Sequence, residues 1–237
     1  VSKQIGRTRD CMIHKEKEYD YHVGFRKFVK EKSILDMDMV FDKYPKEIFP
    51  FDFDTYFASE MECEIVTTNC VTGKAEYMTE RSDRDRLMKL CRASSSMPLV
   101  SPIVNVDGVP YLDGGLADSI PVKRAQALGN EKIIVILTRN PGYRKKPISR
   151  GVKSLYKRAY KKYPNLVRTA IKRSMIYNQQ MELVEKLEDE GKIFVIRPLI
   201  PTVSRLEKNY DALMHFYEHG YRLMKRQYQA LQEYMEK

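Results

Sequence analysis

Residues 111–121 read Tyr111-Leu112-Asp113-Gly114-Gly115-Leu116-Ala117-Asp118-Ser119-Ile120-Pro121. An apolar run ends on an aspartate and is broken at once by two glycines. Glycine accepts positive φ and the close approach of another segment, so the pair predicts a sharp turn with Asp113 at the carboxyl end of a strand. In open α/β sheets that edge is where ligands bind. Two readings of Asp113 compete: an acid presented for chemistry, and an aspartate that only caps its turn.

Upstream, 103–106, the turn Asp107-Gly108 and 109–112 predict a short hairpin. The helix before it stops in 93–98. It is predicted to begin at Ser82, with Asp85 three residues on as its cap partner and Leu87, Leu90 and Cys91 as its apolar face. Further back, 62–68 and 74–79 flank Asn69-Cys70-Val71-Thr72-Gly73, which predicts two strands around a turn. The first sixty residues read as helices and loops. Phe25, Phe28 and Val29 sit at helical spacing, and a loop-rich stretch over 36–53 carries Pro45 and Pro50.

Downstream, Pro121 opens a helix through Ala127 that Gly129 closes, and the β-branched run over 132–138 predicts a buried strand. A later helix through Met181, Val184 and Leu187 stops at Gly191, and 192–197 is the last strand. From Leu206 onward the chain reads as helix. There Tyr210, Tyr217, Met224 and Leu231 repeat every seven residues, as do Met214, Tyr221, Tyr228 and Met235. Such a pattern admits a coiled-coil dimer. Tyrosine and methionine are poor seam residues, however, and Gly220 is expected to interrupt the helix, so packing on its own domain is the preferred reading. The oligomeric state stays open. Strand, turn, helix, strand is the rhythm of an α/β fold.

Composition narrows the function classes. With 43% hydrophobic and 31% charged residues in a chain of 237, wholesale disorder is excluded. The apolar runs are too short to span a bilayer, and the first ten residues are polar and basic rather than a signal peptide. Four cysteines without a C-x-x-C pair suggest reduced thiols and a cytoplasmic setting. The net charge of +10 is concentrated: 144–173 holds twelve Lys and Arg and no Asp or Glu, leaving the remainder close to neutral. Three partners suit that segment. It would grip phosphate backbones, with Tyr156, Tyr160 and Tyr163 to stack on bases. It would lie on anionic lipid headgroups. Or it is a solvated face that confers solubility. No zinc-finger, RRM or KH signature supports the first.

Several chemistries lack their residues. There is no G-x-S-x-G, P-loop, G-x-G-x-x-G or H-E-x-x-H motif. Of the histidines His14, His22, His215 and His219, only the last two share a helical spacing. No third ligand is indicated, so neither a metal nor a cofactor is expected. Cys11 stands beside Arg7, Arg9 and Lys15 without a placed histidine base, and Cys63, Cys70 and Cys91 read as structural.

The whole arrangement resembles the patatin-like phospholipase family. There a helix ends in A-S-x-x-x-P, a hairpin follows, and its second strand delivers D-G-G or D-G-A before a proline opens the next helix. Here Ala93-Ser94-Ser95-Ser96-Met97-Pro98, the hairpin, Asp113-Gly114-Gly115 and Pro121 stand in that order, and Val66 to Asn69 with Gly73 look like the central strand and its turn. The resemblance covers roughly 51–140. It implies a three-layer α/β/α hydrolase fold, with 1–140 as the catalytic domain and 141–237 as basic segment, last strand and C-terminal helices packed on it. It also implies a Ser-Asp dyad that cleaves fatty-acid esters without histidine, Asp113 being the acid and Gly114 and Gly115 the turn that places it. The family's glycine-rich oxyanion loop and G-x-S-x-G elbow are expected to precede Val1, which makes the chain read as a piece of a longer enzyme. Ser94, Ser95, Ser96 and Ser119 sit on no elbow. The segment 144–173 would then hold the enzyme at an anionic membrane surface. The alternatives are a non-catalytic module of the same fold that binds lipid or a protein, and a nucleic-acid-binding protein.

Overall fold

The computed structural model describes residues 37–204, 207 and 209–236. Cys11, His14, His22, Phe25, Phe28, Val29 and Leu206 lie outside them. The described chain is mixed α/β with a helical C-terminal part. Its helices are α1 (Phe53–Ala58), α2 (Arg84–Ser95), α3 (Val122–Ala127), α4 (Arg150–Ala159), α5 (Pro164–Asp189) and α6 (Tyr210–Glu236). The strands are β1 (Ile65–Asn69), β2 (Ala75–Met78), β3 (Val104–Val106), β4 (Val109–Asp113), β5 (Ile134–Ile136) and β6 (Phe194–Ile196). Two compact units emerge. One joins the described residues up to Ser119 with Pro147–Ile176, the other Ile120–Lys146 with those from Tyr177 on.

The first unit is built on a sheet of order β2-β1-β4-β3. Every pairing in it is antiparallel, so the ligand rule for parallel sheets does not describe the edge that carries Asp113. The cause is local, because strands joined by a tight turn must run back on each other. Asp107 and Gly108 have φ of 52° and 81°, the left-handed pair that a two-residue hairpin turn requires.

Successive residues of β4 face opposite ways. Tyr111 points into a core with Ile65, Val104 and Val106 under Leu87, Leu90 and Ala93 of α2. Leu112 points into another with Cys70, Leu116, Tyr156, Tyr160, Leu166 and Ala170. Helices therefore cover both faces of this sheet, α2 on one side and α4 with the first part of α5 on the other. Burial pushes the Cys70 thiol up to about 12, which suits a packing residue rather than a nucleophile.

Two local expectations are corrected. The stretch read as a loop around Pro45 is a π-helical segment, Met39–Ile48, with Pro45 inside it. Ion pairs from Asp38 to Arg92 and from Lys46 to Asp85 hold it to α2 and its first turn. The cap of α2 is Asp83 rather than Ser82, its Oδ1 taking the Arg86 N–H at 3.0 Å. Ser82 is occupied elsewhere. Glu80 Oε1 accepts the N–H groups of Arg81, Ser82 and Asp83 at 2.9 to 3.0 Å, while Arg86 donates to Oε2 at 2.7 Å.

Glu80 is 7% exposed. Its burial opposes ionisation, but the N–H donors of Asp83, Ser82 and Arg81 and the Arg86 guanidinium outweigh that and bring its pKa down to about 2. A depressed carboxylate contributes stability above its unfolded value, and that contribution fades as pH falls through the folded one. Glu80→Gln is therefore expected to lower the urea midpoint at neutral pH, with the gap to the parent closing between about 4.5 and about 2. A pH-independent gap would show that the carboxylate charge contributes nothing.

In the second unit β5 and β6 pair in parallel, Val135 opposite Val195. The strand read as buried over 132–138 is shorter and one-faced: Ile133, Val135 and Leu137 are buried, whereas Ile136 is 73% exposed. A strand covered on one side shows this period of two. Its buried side packs on Ile120, Val122, Met181, Val184 and Leu187. Helix α6 runs unbroken through Gly220, so the expected interruption is absent. Tyr234 ties it down, its hydroxyl accepting the Ile133 N–H at 2.9 Å and lying 3.0 Å from the Lys192 carbonyl. Among the described residues no helix is long and apolar enough to cross a membrane.

Candidate active site

Asp113 closes β4 opposite Thr67 of the inner strand β1. Its own N–H donates to the Ser96 carbonyl at 2.8 Å. Ser96 ends α2, its hydroxyl turned back to the Arg92 carbonyl at 2.8 Å. The helix terminus and the aspartate are thus one hydrogen-bonded structure, which explains why the two motifs occur together. From β1, the buried Thr68 hydroxyl donates to the Asp113 carbonyl at 2.8 Å and lies 3.3 Å from the Ala117 N–H.

The two glycines do different things. A Cβ at Gly114 would fall 2.2 Å from the Val66 carbonyl oxygen, so only glycine lets the turn lie against β1. At Gly115 the nearest atom would be Asp113 Oδ1 at 3.1 Å, with Arg173 Nη2 at 3.6 Å and Ser119 Oγ at 3.7 Å. Gly115 donates its N–H to Asp113 Oδ1 at 2.8 Å. Its carbonyl accepts from Ser119 Oγ at 2.7 Å and Arg173 Nε at 2.8 Å.

Asp113 is half-buried, with Oδ1 engaged in the turn; among the described residues no protein donor reaches Oδ2. A carboxylate with one oxygen fixed and the other open is oriented without being consumed. It does cap its turn, and the cap leaves one oxygen for another hydrogen-bond partner. Arg173, from the basic segment, had no sequence signal tying it to this turn; only the fold brings α5 there. The same holds for Tyr77, whose hydroxyl donates to Asp118 Oδ2 at 2.5 Å.

Other candidates resolve differently. Ser96 and Ser119 spend their hydroxyls on backbone carbonyls. His219 Nε2 accepts the Leu199 N–H at 3.1 Å, a local packing role. Tyr156 and Tyr160, read as stacking residues for bases, are buried and stacked on each other with centroids 6.2 Å apart. The nucleic-acid reading loses those two of its three aromatic partners. What α4 turns outward instead is basic and apolar, with Arg150, Lys157 and Arg158 exposed beside Val152 and Leu155.

The turn lies within a stretch of chain that is similar to known proteins. Residues 34–125 match the family model described as patatin-like phospholipase, and 163–236 match a domain of unknown function, DUF6363. A curated relative is the uncharacterized protein YjjU of Escherichia coli (strain K12), 27% identical over 141 residues. The similar region is 58% of this chain and 39% of the relative, so the chain spans about two fifths of the relative it matches.

Proposed function

We propose, from the match of residues 34–125 to the family model described as patatin-like phospholipase, that the chain is part of a lipid acyl hydrolase in which Asp113 serves a serine nucleophile. The serine belongs to the family's G-x-S-x-G elbow, a motif that these 237 residues do not contain. As the serine Oγ attacks a fatty-acid ester carbonyl, Asp113 Oδ2 accepts the hydroxyl proton. The tetrahedral oxyanion collapses, and the departing alcohol takes that proton. Water then repeats the sequence on the acyl-enzyme, with Asp113 again as base, and releases the fatty acid. The observation that carries this reading is the open Oδ2 of a carboxylate whose other oxygen is fixed by Gly115.

The test is fatty-acid release from phospholipid and simple acyl esters by the polypeptide that includes the nucleophile segment. The cap on Gly115 favours a second reading, a non-catalytic module in which Asp113 is structural. That module would show no hydrolysis in the same assay.

The reading extends to attachment at the substrate surface. Exposed cations flanking Val152 and Leu155 suit a cytoplasmic protein held peripherally on an anionic bilayer. Replacing Arg150, Lys153, Lys157 and Arg158 by glutamine is expected to weaken binding to phosphatidylserine vesicles at low salt by roughly 100-fold or more, each surface cation contributing about 1 kcal/mol. Unchanged co-sedimentation would remove the membrane role.

A further inference from the structure

Helix α6 turns two different faces to its surroundings. At 3.6 residues per turn, its positions 214, 221, 228 and 235 fall within about 60° of one another, with Leu223 and Tyr234 on the opposite side. The inner side is packed. Leu223 is buried, and the Tyr234 ring lies 5.8 Å from that of Phe194 on β6 while its hydroxyl meets Ile133 and Lys192. The outer side is an apolar stripe in solvent. Tyr221, Tyr228 and Met235 are 59, 57 and 49% exposed, and Met214 above them is half-buried. Single apolar side chains on a surface need no explanation, but a line of them along one helix face marks a place of contact. Tyrosine and methionine, poor residues for a coiled-coil seam, are enriched where proteins associate.

Charge decides what fits the stripe. Between its apolar positions stand Glu218, Lys225 and Gln232, all exposed, the first two opposite in sign and seven residues apart. Glu218 accepts from Arg222 at 2.9 Å, and Lys225 Nζ lies 5.5 Å from the Tyr221 ring centroid. Ion pairs as exposed as Glu218 with Arg222 contribute little and exchange readily.

A second α6 laid parallel on this stripe would set Glu218 on Glu218 and Lys225 on Lys225. Laid antiparallel, with the two Tyr221 rings at a two-fold axis, it brings Lys225 of each copy to Glu218 of the other. In that register Tyr228 of each copy also meets Met214 of the other, because both stand seven residues from Tyr221. Position 210 then lies opposite 232, so the pairing runs along most of the helix, about 35 Å. Sliding the copies until Tyr221 meets Tyr228 would keep the apolar match but place Lys225 on Lys225. The order Met214, Glu218, Tyr221, Lys225, Tyr228 is therefore complementary to its own reverse, which is what a two-fold contact demands of a single patch.

We propose that α6 is a self-association surface through which two copies of the chain pair antiparallel about Tyr221. The apolar stripe supplies the attraction, and the contacts between Lys225 and Glu218 set direction and register. The contact is independent of the hydrolase reading, since no residue of α6 belongs to the turn around Asp113. Sedimentation equilibrium of the full chain over a range of concentrations is expected to follow a monomer–dimer equilibrium. Tyr221→Glu should raise the dimer dissociation constant at least tenfold, by setting two like charges at the axis. Met61→Ser, which removes a comparably exposed apolar side chain from the other unit, should leave it unchanged. Glu218→Lys and Lys225→Glu should each weaken association several-fold, and the double variant should restore it, because the pairs re-form with their signs exchanged. That recovery is a readout that misfolding does not imitate. In the variant carrying both Glu218→Cys and Lys225→Cys, oxidation should link position 218 of one copy to 225 of the other, as read by mass spectrometry. A chain monomeric at every concentration, assemblies larger than a dimer, indifference to Tyr221→Glu, or no recovery in the double charge variant would overturn the proposal.

Discussion

Asp113→Asn is expected to leave folding stability within about 1 kcal/mol of the parent and to lower ester hydrolysis by roughly 10²- to 10⁴-fold in the polypeptide that carries the nucleophile. The two effects separate because the two carboxylate oxygens have different duties. Oδ1 accepts the Gly115 N–H at 2.8 Å, and an asparagine carbonyl accepts it equally well. The backbone bonds to Ser96 and Thr68 do not involve the side chain at all. What asparagine removes is the basic oxygen. Asp113→Ala should lose the activity too and also cost about 1 kcal/mol, by leaving the turn uncapped. Thermal unfolding paired with fatty-acid release reads both quantities on the same preparations. Full activity in Asp113→Asn would reduce the aspartate to a turn cap.

How much of this was legible in the sequence depended on the range of the interaction concerned. The hairpin around Asp107-Gly108 and the halt at Gly114 are set by neighbouring residues, and both occur where turn chemistry places them. Capping of α2 was missed by one residue because Glu80 holds both the N–H and the hydroxyl of Ser82, and Asp83 Oδ1 takes the Arg86 N–H instead. The strand at Ile134–Ile136 reads as fully buried because its composition is uniformly β-branched, yet composition cannot say how many faces a strand will cover. At the candidate site, Asp113 and its glycines were singled out from motif order. Thr68, Arg173 and Tyr77 were not assigned to it, since their contacts bridge 41 to 58 positions of chain and depend on β1, α5 and β2 arriving at one turn. The pairing of Glu185 with Arg144 and of Glu188 with Arg197 was invisible for the same reason. In a segment of twelve cations nearby, nothing in the sequence says which acids on α5 are taken by which arginine.

Gly114→Ala and Gly115→Ala differ by one position and should differ widely in outcome. At Gly114 the new methyl would lie 2.2 Å from the Val66 carbonyl oxygen, 2.5 Å from its carbon and 2.9 Å from its Cβ. The obstacle is backbone, and it belongs to an inner strand held by ladders to both β2 and β4. No rotamer change relieves it, so either β1 or the turn must move. Overpacking a well-filled interior costs about 1–3 kcal/mol and sometimes more; here the upper end or beyond is expected, seen as a lower urea midpoint. Any surviving activity should fall as well, because the displaced turn carries Asp113. At Gly115 the closest atom is the Asp113 Oδ1 at 3.1 Å, which shifts with a small side-chain rotation, and the remaining neighbours are at ordinary distance. That substitution should change stability by less than about 1 kcal/mol. The first glycine lies against the backbone of the sheet, whereas the second meets only side chains, that of Asp113 nearest. Equal destabilisation by the two alanines would mean that the turn does not rest on β1, and the rigid placement of Asp113 would lose its physical basis.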